Sequence, residues 1–480
     1  MGLVTIIIPL LGAALAFLAR SDSRRPLLLP VFGVAHLAAT IAALAGDATR
    51  GRVAWLELDP PGRVVLLLVS VLFTVCSFYA LGYLRLRADR PNRVFCGCLL
   101  AFLGMMSFIA WAHHLGLMWV AIETSTLSSA PLLYFNRTGR SLEATWKYLV
   151  VGSVGIALAL LGSLFLGYSS LVGGHASSLL FEDLVRNAPE FSKPWLHAAF
   201  ILLLVGYGTK MGLAPMHGWK PDAYGEAPGL VGALLAGGMT SCAFLAIVRV
   251  FHILVAAGEA VFAGRILVAM GLFSMVVAAA FLVRQRDFKR MLAYSSVEQM
   301  GILILALGLG PAGAFGAFLH MVNNAVVKGA VFLTAGNIHR AYESKSTDEV
   351  AGALRRLPWS GALFLAGFIA VTGSPPFAPF VSEFSILNAA FGQGRFVVAG
   401  AMLALLLIIF TGMGSTVLAV VQGEPSVRAR QTPFHDRPLT ILPPLVLMTA
   451  TLVLGVYVPS PLRAMIDEAV RYLGYSEAQP

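Results

Sequence analysis

The amino-acid sequence predicts an all-α, polytopic membrane protein, and three observations support this prediction. Of the 480 residues, 58% are hydrophobic and only 12% are charged, whereas about a quarter of the residues of a soluble domain are charged. Apolar runs of about 20 residues, the length that crosses a bilayer as a helix, recur along the whole chain. The 48 glycines and 25 prolines fall mostly inside these runs, where close helix packing and helix breaks are tolerated.

We predict about fourteen membrane-spanning helices from these runs. No positive segment precedes the first run, and Arg20, Arg24 and Arg25 follow it, which predicts a retained first helix and no cleaved signal peptide. Lysine and arginine concentrate in the loops 85–93 and 284–290, so the positive-inside rule places both termini on the outer side. The predicted spans lie near residues 3–19, 26–46, 63–84, 95–111, 114–135, 147–169, 196–216, 229–252, 265–283, 291–309, 313–338, 360–390, 397–422 and 439–458.

We expect the seventh and twelfth spans to be broken helices. Residues 206–215 hold three glycines and one proline, and residues 371–379 hold one glycine and three prolines. Glycine lets the backbone bend, and proline removes an internal hydrogen bond. Breaks at matching places in two halves indicate an inverted repeat with an ion site at mid-membrane; two unrelated proline kinks are the alternative. Since the breaks lie five spans apart, we predict two inverted five-helix repeats. The predicted domains are residues 1–94 (helices 1–3), 95–252 (first repeat, helices 4–8), 265–422 (second repeat, helices 9–13) and 423–480 (helix 14 and a short tail).

Ionisable residues are predicted deep inside several spans. A charged group at mid-membrane costs roughly 2.5–3.5 kcal/mol, so each such residue needs a reason. Glu123 lies in the fifth span, Lys210 beside the seventh-span break and Glu383 after the twelfth-span break. Lys328 and His320 are eight residues apart on one span, a spacing that places them on the same helix face. These residues are candidates for moving protons across a bilayer.

Electrostatic coupling would let such a row of residues pass protons. Burial disfavours the charged form of both lysine and glutamate, so that both can gain and lose a proton near neutral pH. At a separation of about 7 Å and an effective dielectric constant of about 20, two unit charges interact by about 2 kcal/mol. That energy is enough to decide whether Lys210 holds its proton when a charge moves near Glu123. A static Glu123–Lys210 pair that locks two helices together is the alternative.

Three further residues are candidates for proton uptake or relay. Glu143 and Lys147 are four residues apart at the start of the sixth span, and a simple pair on one helix is the alternative. Glu298 follows two serines just inside the tenth span. It is a candidate for proton uptake from the cytoplasm, or a first-turn acid that the helix dipole favours.

The composition excludes several other classes of protein. The net charge of +10 is spread over short loops and forms no continuous basic stripe of the kind that binds nucleic acid. No strand-following glycine fingerprint and no phosphate loop occur in the sequence. The four cysteines, Cys76, Cys96, Cys98 and Cys242, lack the spacing of a metal or redox pair. We therefore expect no nucleotide, metal, cluster or other cofactor on this chain, and no redox centre of its own.

One stretch of the sequence resembles a known family. Lys210-Met-Gly-Leu-Ala-Pro-Met-His217-Gly-Trp-Lys-Pro-Asp222-Ala-Tyr-Gly-Glu226-Ala-Pro is similar to the signature of the antiporter-like subunits of respiratory complex I, Mrp antiporters and membrane-bound hydrogenases. The similarity extends over residues about 70–425. The segments Glu143-Ala-Thr-Trp-Lys147-Tyr and Leu292-Ala-Tyr-Ser-Ser-Val-Glu298-Gln-Met-Gly look most like hydrogenase-4 component F and its formate hydrogenlyase relatives.

The resemblance implies two inverted five-helix repeats whose half-channels are joined by a central hydrophilic axis. In the family, the residues that match Glu123 and Lys210 form a modulating ion pair. The position of Lys328 is the central relay, and that of Glu383 is the exit-side group. Matching relay or uptake candidates are His217, His320, Asp222 and Glu226.

The sequence departs from the family pattern at several positions. Residues 236–249 contain no counterpart of the lysine or histidine that the family carries in the eighth span. Asn324, Gln299 and Tyr224 stand where a histidine is common, and Glu298 stands where complex I members usually carry serine. Bound water could bridge such gaps in a path of proton-carrying groups.

The resemblance implies a proton-translocating subunit of a multisubunit redox complex in the cell inner membrane, with sodium as the other candidate ion. Hydrogenase-4, formate hydrogenlyase and complexes related to NADH dehydrogenase are the implied types, and their redox centres would lie on partner subunits. Three alternatives remain open: an Mrp-type cation/proton antiporter subunit, the membrane subunit of an inorganic-carbon uptake complex with a soluble zinc partner, and a non-pumping membrane anchor.

Overall fold

The computed structural model describes residues 2–46, 55–176, 178–426, 429 and 431–474. Within these ranges the fold is all-α, and three isolated β-bridges are the only β-type pairing. Ten of the described helices are long and apolar enough to cross a membrane. The prediction of an all-α, polytopic membrane protein is therefore confirmed.

The helices follow the apolar runs closely, and most of them begin or end within a few residues of the predicted limits. In the first half they are α1 (Gly2–Leu18), α2 (Leu28–Ala45), α3 (Pro60–Arg85), α4 (Arg93–Trp111), α5 (Leu115–Leu133), α6 (Gly139–Val172), α7 (Phe181–Asn187), α8 (Lys193–Met211), α9 (Trp219–Glu226), α10 (Gly229–Ala233) and α11 (Thr240–Ala256). In the second half they are α12 (Ala260–Leu282), α13 (Phe288–Gly308), α14 (Pro311–Tyr342), α15 (Ala353–Arg356), α16 (Pro358–Val371), α17 (Ala378–Gly392), α18 (Phe396–Val421), α19 (Pro438–Val456) and α20 (Ser460–Tyr472).

The predicted spans that are not among the ten are short, polar or interrupted. The apolar helices Leu3–Leu18 and Pro358–Val371 are shorter than 18 residues. The helix α5 carries the polar run Glu123-Thr-Ser-Thr, and α8 stops before the end of its predicted span. In α5 and α8, the polar run and the break that predicted a functional site also shorten the apolar part of the helix.

Two segments form the centre of the bundle. In the most apolar stretches of Gly229–Ala256, which joins α10 to α11 through a π-helical turn, and of Pro311–Tyr342, 100% of the residues are buried. The corresponding share is only 28% in Phe396–Val421. The peripheral helices therefore present apolar side chains outward, as a lipid-facing surface requires, whereas polar groups on the central helices are shielded from lipid.

Both helices that were predicted to be broken are interrupted. The helix α8 ends at Met211, where Gly212 takes a left-handed φ of +85°, and α9 begins only at Trp219. The helix α16 ends at Val371, and α17 begins at Ala378. Each interruption leaves backbone carbonyls without partners inside their own helix, so polar side chains or water must satisfy them.

The loops 86–92 and 283–287 lie at the same end of the bundle, because Arg90 and Arg286 line one polar cleft of about 1140 Å³. We call this end the arginine-rich face. The opposite face carries the turn at 112–114, and an isolated bridge joins His114 to Leu180 there.

Close glycine packing joins α12 to α13. A Cβ atom added to Gly301 would lie 2.7 Å from the carbonyl oxygen of Gly271, which real Cβ atoms essentially never approach so closely. We expect Gly301→Ala to destabilise the protein by about 1–3 kcal/mol through overpacking, measured by thermal unfolding in mild detergent. Gly400→Ala is the control, since nothing lies within 4 Å of its added Cβ. Equal unfolding temperatures for the two variants would contradict this packing.

Candidate functional site

Lys210 lies in the last turn of α8, directly before the first interruption, and it is buried. Its Nζ atom donates hydrogen bonds to Thr126 Oγ1 at 2.6 Å and to the Tyr148 hydroxyl at 2.8 Å. The same atom lies 4.3 Å from the centroid of the Tyr148 ring, and the Tyr148 hydroxyl is 2.7 Å from Ser129 Oγ. The ammonium group is therefore held by hydroxyls and an aromatic ring, and no carboxylate of the described part of the chain contacts it directly.

Glu123 lies near this lysine on α5. Its Oε1 atom accepts a hydrogen bond from Ser153 Oγ at 3.1 Å, and its Oε2 atom is buried without a hydrogen-bond partner. Glu123 interacts with Lys210 electrostatically, but the two side chains form no direct salt bridge. The ion pair that the resemblance implies is thus an indirect one in this structure. We call the following residues the first cluster: Glu123, Thr126, Tyr148, Ser153 and Lys210.

Lys328 is a second buried lysine, in the second half of the chain. It is fully buried on α14, and its Nζ atom donates to Ser295 Oγ of α13 at 2.5 Å. Glu298, one turn further along α13, interacts electrostatically with Lys328. Gln299 Nε2 donates to Glu298 Oε1 and to the carbonyl oxygen of Val371, both at 3.2 Å. The second interruption is thereby tied to the polar groups around Lys328.

His320 and Glu383 extend this group of residues along α14 and α17. The Nδ1 atom of His320 is 3.0 Å from Ser382 Oγ, and Glu383 follows Ser382 directly in the chain. Glu383 is buried and interacts electrostatically with Glu298. We call the following residues the second cluster: Ser295, Glu298, Gln299, His320, Lys328, Ser382 and Glu383.

Several buried polar atoms in and beside the two clusters have no partner at full hydrogen-bond geometry among the described residues. They are Glu123 Oε2, Tyr224 Oη, Ser296 Oγ, Glu298 Oε2, Gln299 Oε1, His320 Nε2, Asn324 Oδ1 and Glu383 Oε1. Buried polar groups are normally paired, and ordered water commonly satisfies those that lack a protein partner. The concentration of such atoms makes this part of the interior the one best suited to bound water.

The other predicted uptake residues lie near the arginine-rich face. Lys147 Nζ is 2.6 Å from Glu143 Oε1 and 2.8 Å from Asp222 Oδ2, and Lys345 Nζ is 2.6 Å from Glu226 Oε1. The side chains of Glu143 and Lys147 are exposed. These residues therefore form two groups of ion pairs apart from the clusters, one around Lys147 and one around Lys345. The exposed pair of Glu143 and Lys147 contributes little to stability.

His217 lies in the segment between α8 and α9 and is half-buried. Its ring is 6.2 Å from that of Tyr294 and 6.4 Å from that of Phe281, and its Nδ1 atom has no hydrogen-bond partner. The structure brings His217 into neither cluster. Glu298, in contrast, lies inside the second cluster in the middle of α13, so it is not a first-turn acid, and its role in proton uptake stays a prediction.

The buried ion pair of Arg249 and Asp59 was not predicted from the sequence. Arg249 Nε is 2.8 Å from Asp59 Oδ2, and Arg249 Nη2 is 2.9 Å from Asp59 Oδ1. The same guanidinium donates to the carbonyl oxygens of Ile109, Ala110 and Ala112 at 2.7–3.0 Å. Those carbonyls belong to the end of α4, where helix carbonyls lack intrahelical partners. The pair therefore joins α11 to the end of α4 and to the start of α3.

Asp59 precedes α3 and caps it, because Asp59 Oδ1 accepts a hydrogen bond from the Gly62 N–H at 2.8 Å. Burial alone would raise the pKa of Asp59, but the charge and hydrogen bonds of Arg249, together with the Gly62 N–H, lower this pKa below its ordinary value. The carboxylate is therefore held in its ionised form. Asp59 and Arg249 both stand near the ends of predicted spans, where a charged residue is expected to lie at the membrane–water interface. The sequence carries no local signal that the two residues pair.

Tyr148 and Lys220 were not predicted as site residues either, although both lie inside motifs that resemble the family. Tyr148 holds Lys210 directly, and Lys220 is 0% exposed. A lysine between the apolar residues of the signature could have drawn attention to Lys220. Within the described ranges, no group of three or more histidine, cysteine or acidic side chains is placed to hold a metal ion.

The fold and the two clusters define a class of protein: a polytopic helical membrane protein with interrupted helices and ionisable groups in its interior. A family profile described as "NADH:quinone oxidoreductase/Mrp antiporter, TM" matches residues 112–411. The Hydrogenase-4 component F homolog of Methylacidiphilum infernorum (isolate V4) is 38% identical over 366 residues, which is 75% of this chain and 75% of the relative. NADH-quinone oxidoreductase subunit N of Desulforudis audaxviator (strain MP104C) is 31% identical over 409 residues, which is 84% of this chain and 80% of the relative.

A solved structure agrees with these sequence matches. A chain of the membrane-bound sulfane sulfur reductase, an archaeal respiratory membrane complex, superposes with a TM-score of 0.85 and 21% identity, covering 98% of this chain and 97% of that chain. At such identity the likeness supports the fold alone. On the profile and the sequence relatives, the protein belongs to the NADH:quinone oxidoreductase/Mrp antiporter family of membrane subunits, as its signature predicted.

Proposed function

We propose that the protein is the proton-translocating, antiporter-like membrane subunit of a multisubunit redox complex of the hydrogenase-4 type. The relative with 38% identity carries the name of a hydrogenase-4 component. The redox centres would lie on partner subunits, and this chain would contribute the proton path. The coupled ion is the proton in this proposal, since the clusters contain groups that gain and lose protons.

The observation that carries the proposal is the presence of two buried lysines with similar polar surroundings. Lys210 ends the interrupted helix α8, and Lys328 lies beside Glu298, whose neighbour Gln299 binds the carbonyl oxygen at the second interruption. The lysines Lys210 and Lys328 both donate to hydroxyl groups and lie within electrostatic range of a glutamate without a direct salt bridge. A tight buried ion pair would hold both charges in place. Hydroxyl partners stabilise an ammonium group less strongly, so either lysine can release a proton when a nearby charge changes.

We further propose about fourteen membrane passes in two inverted five-helix repeats, residues 95–252 and 265–422. In this arrangement α8 with α9 counts as one pass, and α16 with α17 counts as another. Each repeat then contains one interrupted helix, the feature expected of such repeats. The positive-inside rule would place the arginine-rich face in the cytoplasm and both termini on the outer side of the inner membrane. The partners would be other membrane and redox subunits.

Lys210→Ala is expected to reduce proton translocation at least about tenfold, because removing a positioned proton-transfer group typically costs more than that. Glu123→Gln removes the nearby negative charge while keeping the hydrogen bond with Ser153 Oγ, so we expect a smaller loss. The measurement is acidification of inverted vesicles that contain the whole complex, followed with a pH-sensitive dye.

Glu182→Gln is the matched control, since Glu182 is exposed and its carboxylate pairs with Arg186 on the same short helix, far from both clusters in the chain. Its translocation rate is expected to equal that of the unmodified complex. Unchanged rates in both Lys210→Ala and Glu123→Gln would mean that the first cluster is scaffolding, and the proposal would fail. Sodium-dependent pH gradients in vesicles without any electron donor would instead favour an antiporter that works without redox partners.

A further inference from the structure

Lys220 is a buried lysine that belongs to neither cluster. It lies in the first turn of α9 and is 0% exposed. Its Nζ atom donates to the carbonyl oxygen of Met211 at 2.8 Å and lies 3.4 Å from the carbonyl oxygen of Ser296. The centroid of the Tyr224 ring is 5.6 Å away. Among the residues that the structure describes, no carboxylate forms a salt bridge with this ammonium group, although a buried charge is costly unless it is paired.

The two carbonyl contacts place Lys220 between the clusters. Met211 follows Lys210 of the first cluster directly in the chain, on α8. Ser296 follows Ser295 of the second cluster, which accepts the hydrogen bond from Lys328. Lys220 and Lys328 also interact electrostatically. The Lys220 side chain thus contacts the backbone next to Lys210 and the backbone next to Ser295, the residue that binds Lys328.

The surroundings of Lys220 on the side of the second cluster are polar. The hydroxyls of Ser296 and Tyr224 are both buried and interact with each other, and neither has a partner at full hydrogen-bond geometry among the described residues. Water bound at these hydroxyls could continue a hydrogen-bonded path toward Ser295. The central helix formed by residues 229–256, in contrast, offers no acidic or basic side chain before Arg249, which is held by Asp59. Lys220 is therefore the ionisable group best placed to join the clusters.

We propose that Lys220 carries protons between the first and the second cluster, and this inference rests on the function proposed above. In one cycle the neutral amine of Lys220 takes a proton that leaves the Lys210 ammonium group. The Lys220 ammonium group then gives a proton, through bound water, to the neutral amine of Lys328. One N–H bond breaks and one forms at each step, so no redox partner is needed.

A purely structural role is the rival explanation, because Lys220 also satisfies a carbonyl at the interruption of α8. Three substitutions separate the two roles. Lys220→Gln keeps a donor for the Met211 carbonyl but removes the titratable amine. Lys220→Arg keeps both the charge and the donors, but a guanidinium does not release its proton in proteins. Lys220→His restores a group that titrates, at lower pH than lysine.

We expect Lys220→Gln and Lys220→Arg to reduce translocation at least about tenfold in inverted vesicles of the whole complex. Lys220→His is expected to retain part of the activity, with its pH optimum at least about one unit lower. Translocation rates are divided by the amount of assembled complex, which reveals any variant that folds poorly. The other two Lys220 variants then decide between the two roles. Native rates and an unchanged pH profile in the folded variants would overturn the proposal and leave only the structural role.

Two controls make the outcome specific. Lys289 is also fully buried, and its Nζ atom donates to the carbonyl oxygens of Gly225 and Ala227 at 2.9 and 2.6 Å. Lys289→Gln is therefore expected to change stability but not the translocation rate per assembled complex; an equal loss there would count against a specific role of Lys220. Lys210→Ala is measured in parallel. If Lys210→Ala loses translocation while the Lys220 variants translocate at the native rate, only the role of Lys220 is refuted. If Lys210→Ala and the Lys220 variants all translocate at the native rate, the proposed function itself is refuted.

Discussion

Replacing Lys328 by methionine is expected to reduce proton translocation about a hundredfold or more, since a positioned proton-transfer group contributes at least that factor. Methionine has nearly the shape of lysine but cannot carry a proton. Lys328 is fully buried, and its Nζ atom binds Ser295 in the centre of the second cluster. The same substitution removes a buried charge without a direct ionic partner, so we expect the unfolding temperature to stay equal or to rise.

Thr334→Val on the same helix is the matched control for this variant. Thr334 is also buried, but its hydroxyl bonds only to carbonyls of its own helix, at 2.9 and 3.0 Å. Both variants are measured in inverted vesicles that contain the whole complex. Retention of native translocation by Lys328→Met would exclude Lys328 as a relay. A loss in Thr334→Val of the same size would show that the assay responds to any change in α14.

Arg249→Met is expected to produce the largest loss of stability, about 3–5 kcal/mol, because breaking a buried ion pair leaves an uncompensated charge. Arg249 is 0% exposed, and Asp59 would remain buried without its partner. The carbonyls at the end of α4 would also lose their donor. Thermal unfolding of the purified protein in mild detergent measures the effect.

The double variant Asp59→Asn with Arg249→Met tests the cause of this loss. Removing both charges should recover part of the stability, since residues in one ion pair are not additive. Arg265→Met, at an exposed position on α12, is expected to change stability by less than about 0.5 kcal/mol. If the double variant lost as much as the sum of its single variants, the pairing would not be the source of the stability.

The same ion pair predicts a dependence of stability on pH. The folded-state pKa of Asp59 lies below its ordinary value, and the unfolded value is about 3.9. The pair therefore contributes fully above the unfolded pKa, and its contribution is lost as the pH falls through the folded-state pKa. The unfolding temperatures of native protein and Arg249→Met should accordingly converge in acid.

Much of the fold could be predicted from the sequence, because the physical signals are local. Apolar runs located the helices, and glycine and proline located the interruptions after Met211 and Val371. Both signals act over a few residues, since they reflect transfer of side chains into lipid and the loss of backbone hydrogen bonds. Ten of the described helices are long and apolar enough to cross a membrane, fewer than the roughly fourteen predicted spans, because polar residues and breaks shorten the apolar stretches.

The candidate site could be predicted only in part. The residues Glu123, Lys210, Lys328 and Glu383 stood out because each is ionisable in an apolar run, and the roles assigned to them stay predictions. Glu298 lies in the middle of α13, deeper than its place just inside the predicted span indicated, and its role in proton uptake stays a prediction. Glu143, Lys147 and Asp222 lie in an ion-pair network near the arginine-rich face. A helix pattern does not report depth or partners, since both depend on the neighbouring helices.

The sequence by itself determined that this protein is a helical membrane protein with two interrupted helices and rare ionisable groups in its spans. Those properties follow from composition and from the order of residues along single helices. Only the tertiary structure decided which groups meet: Tyr148 with Lys210, Ser295 with Lys328, and Asp59 with Arg249. The partners in these contacts are between 33 and 190 residues apart in the chain, so the packing of distant helices, and no local pattern, brings them within hydrogen-bond distance.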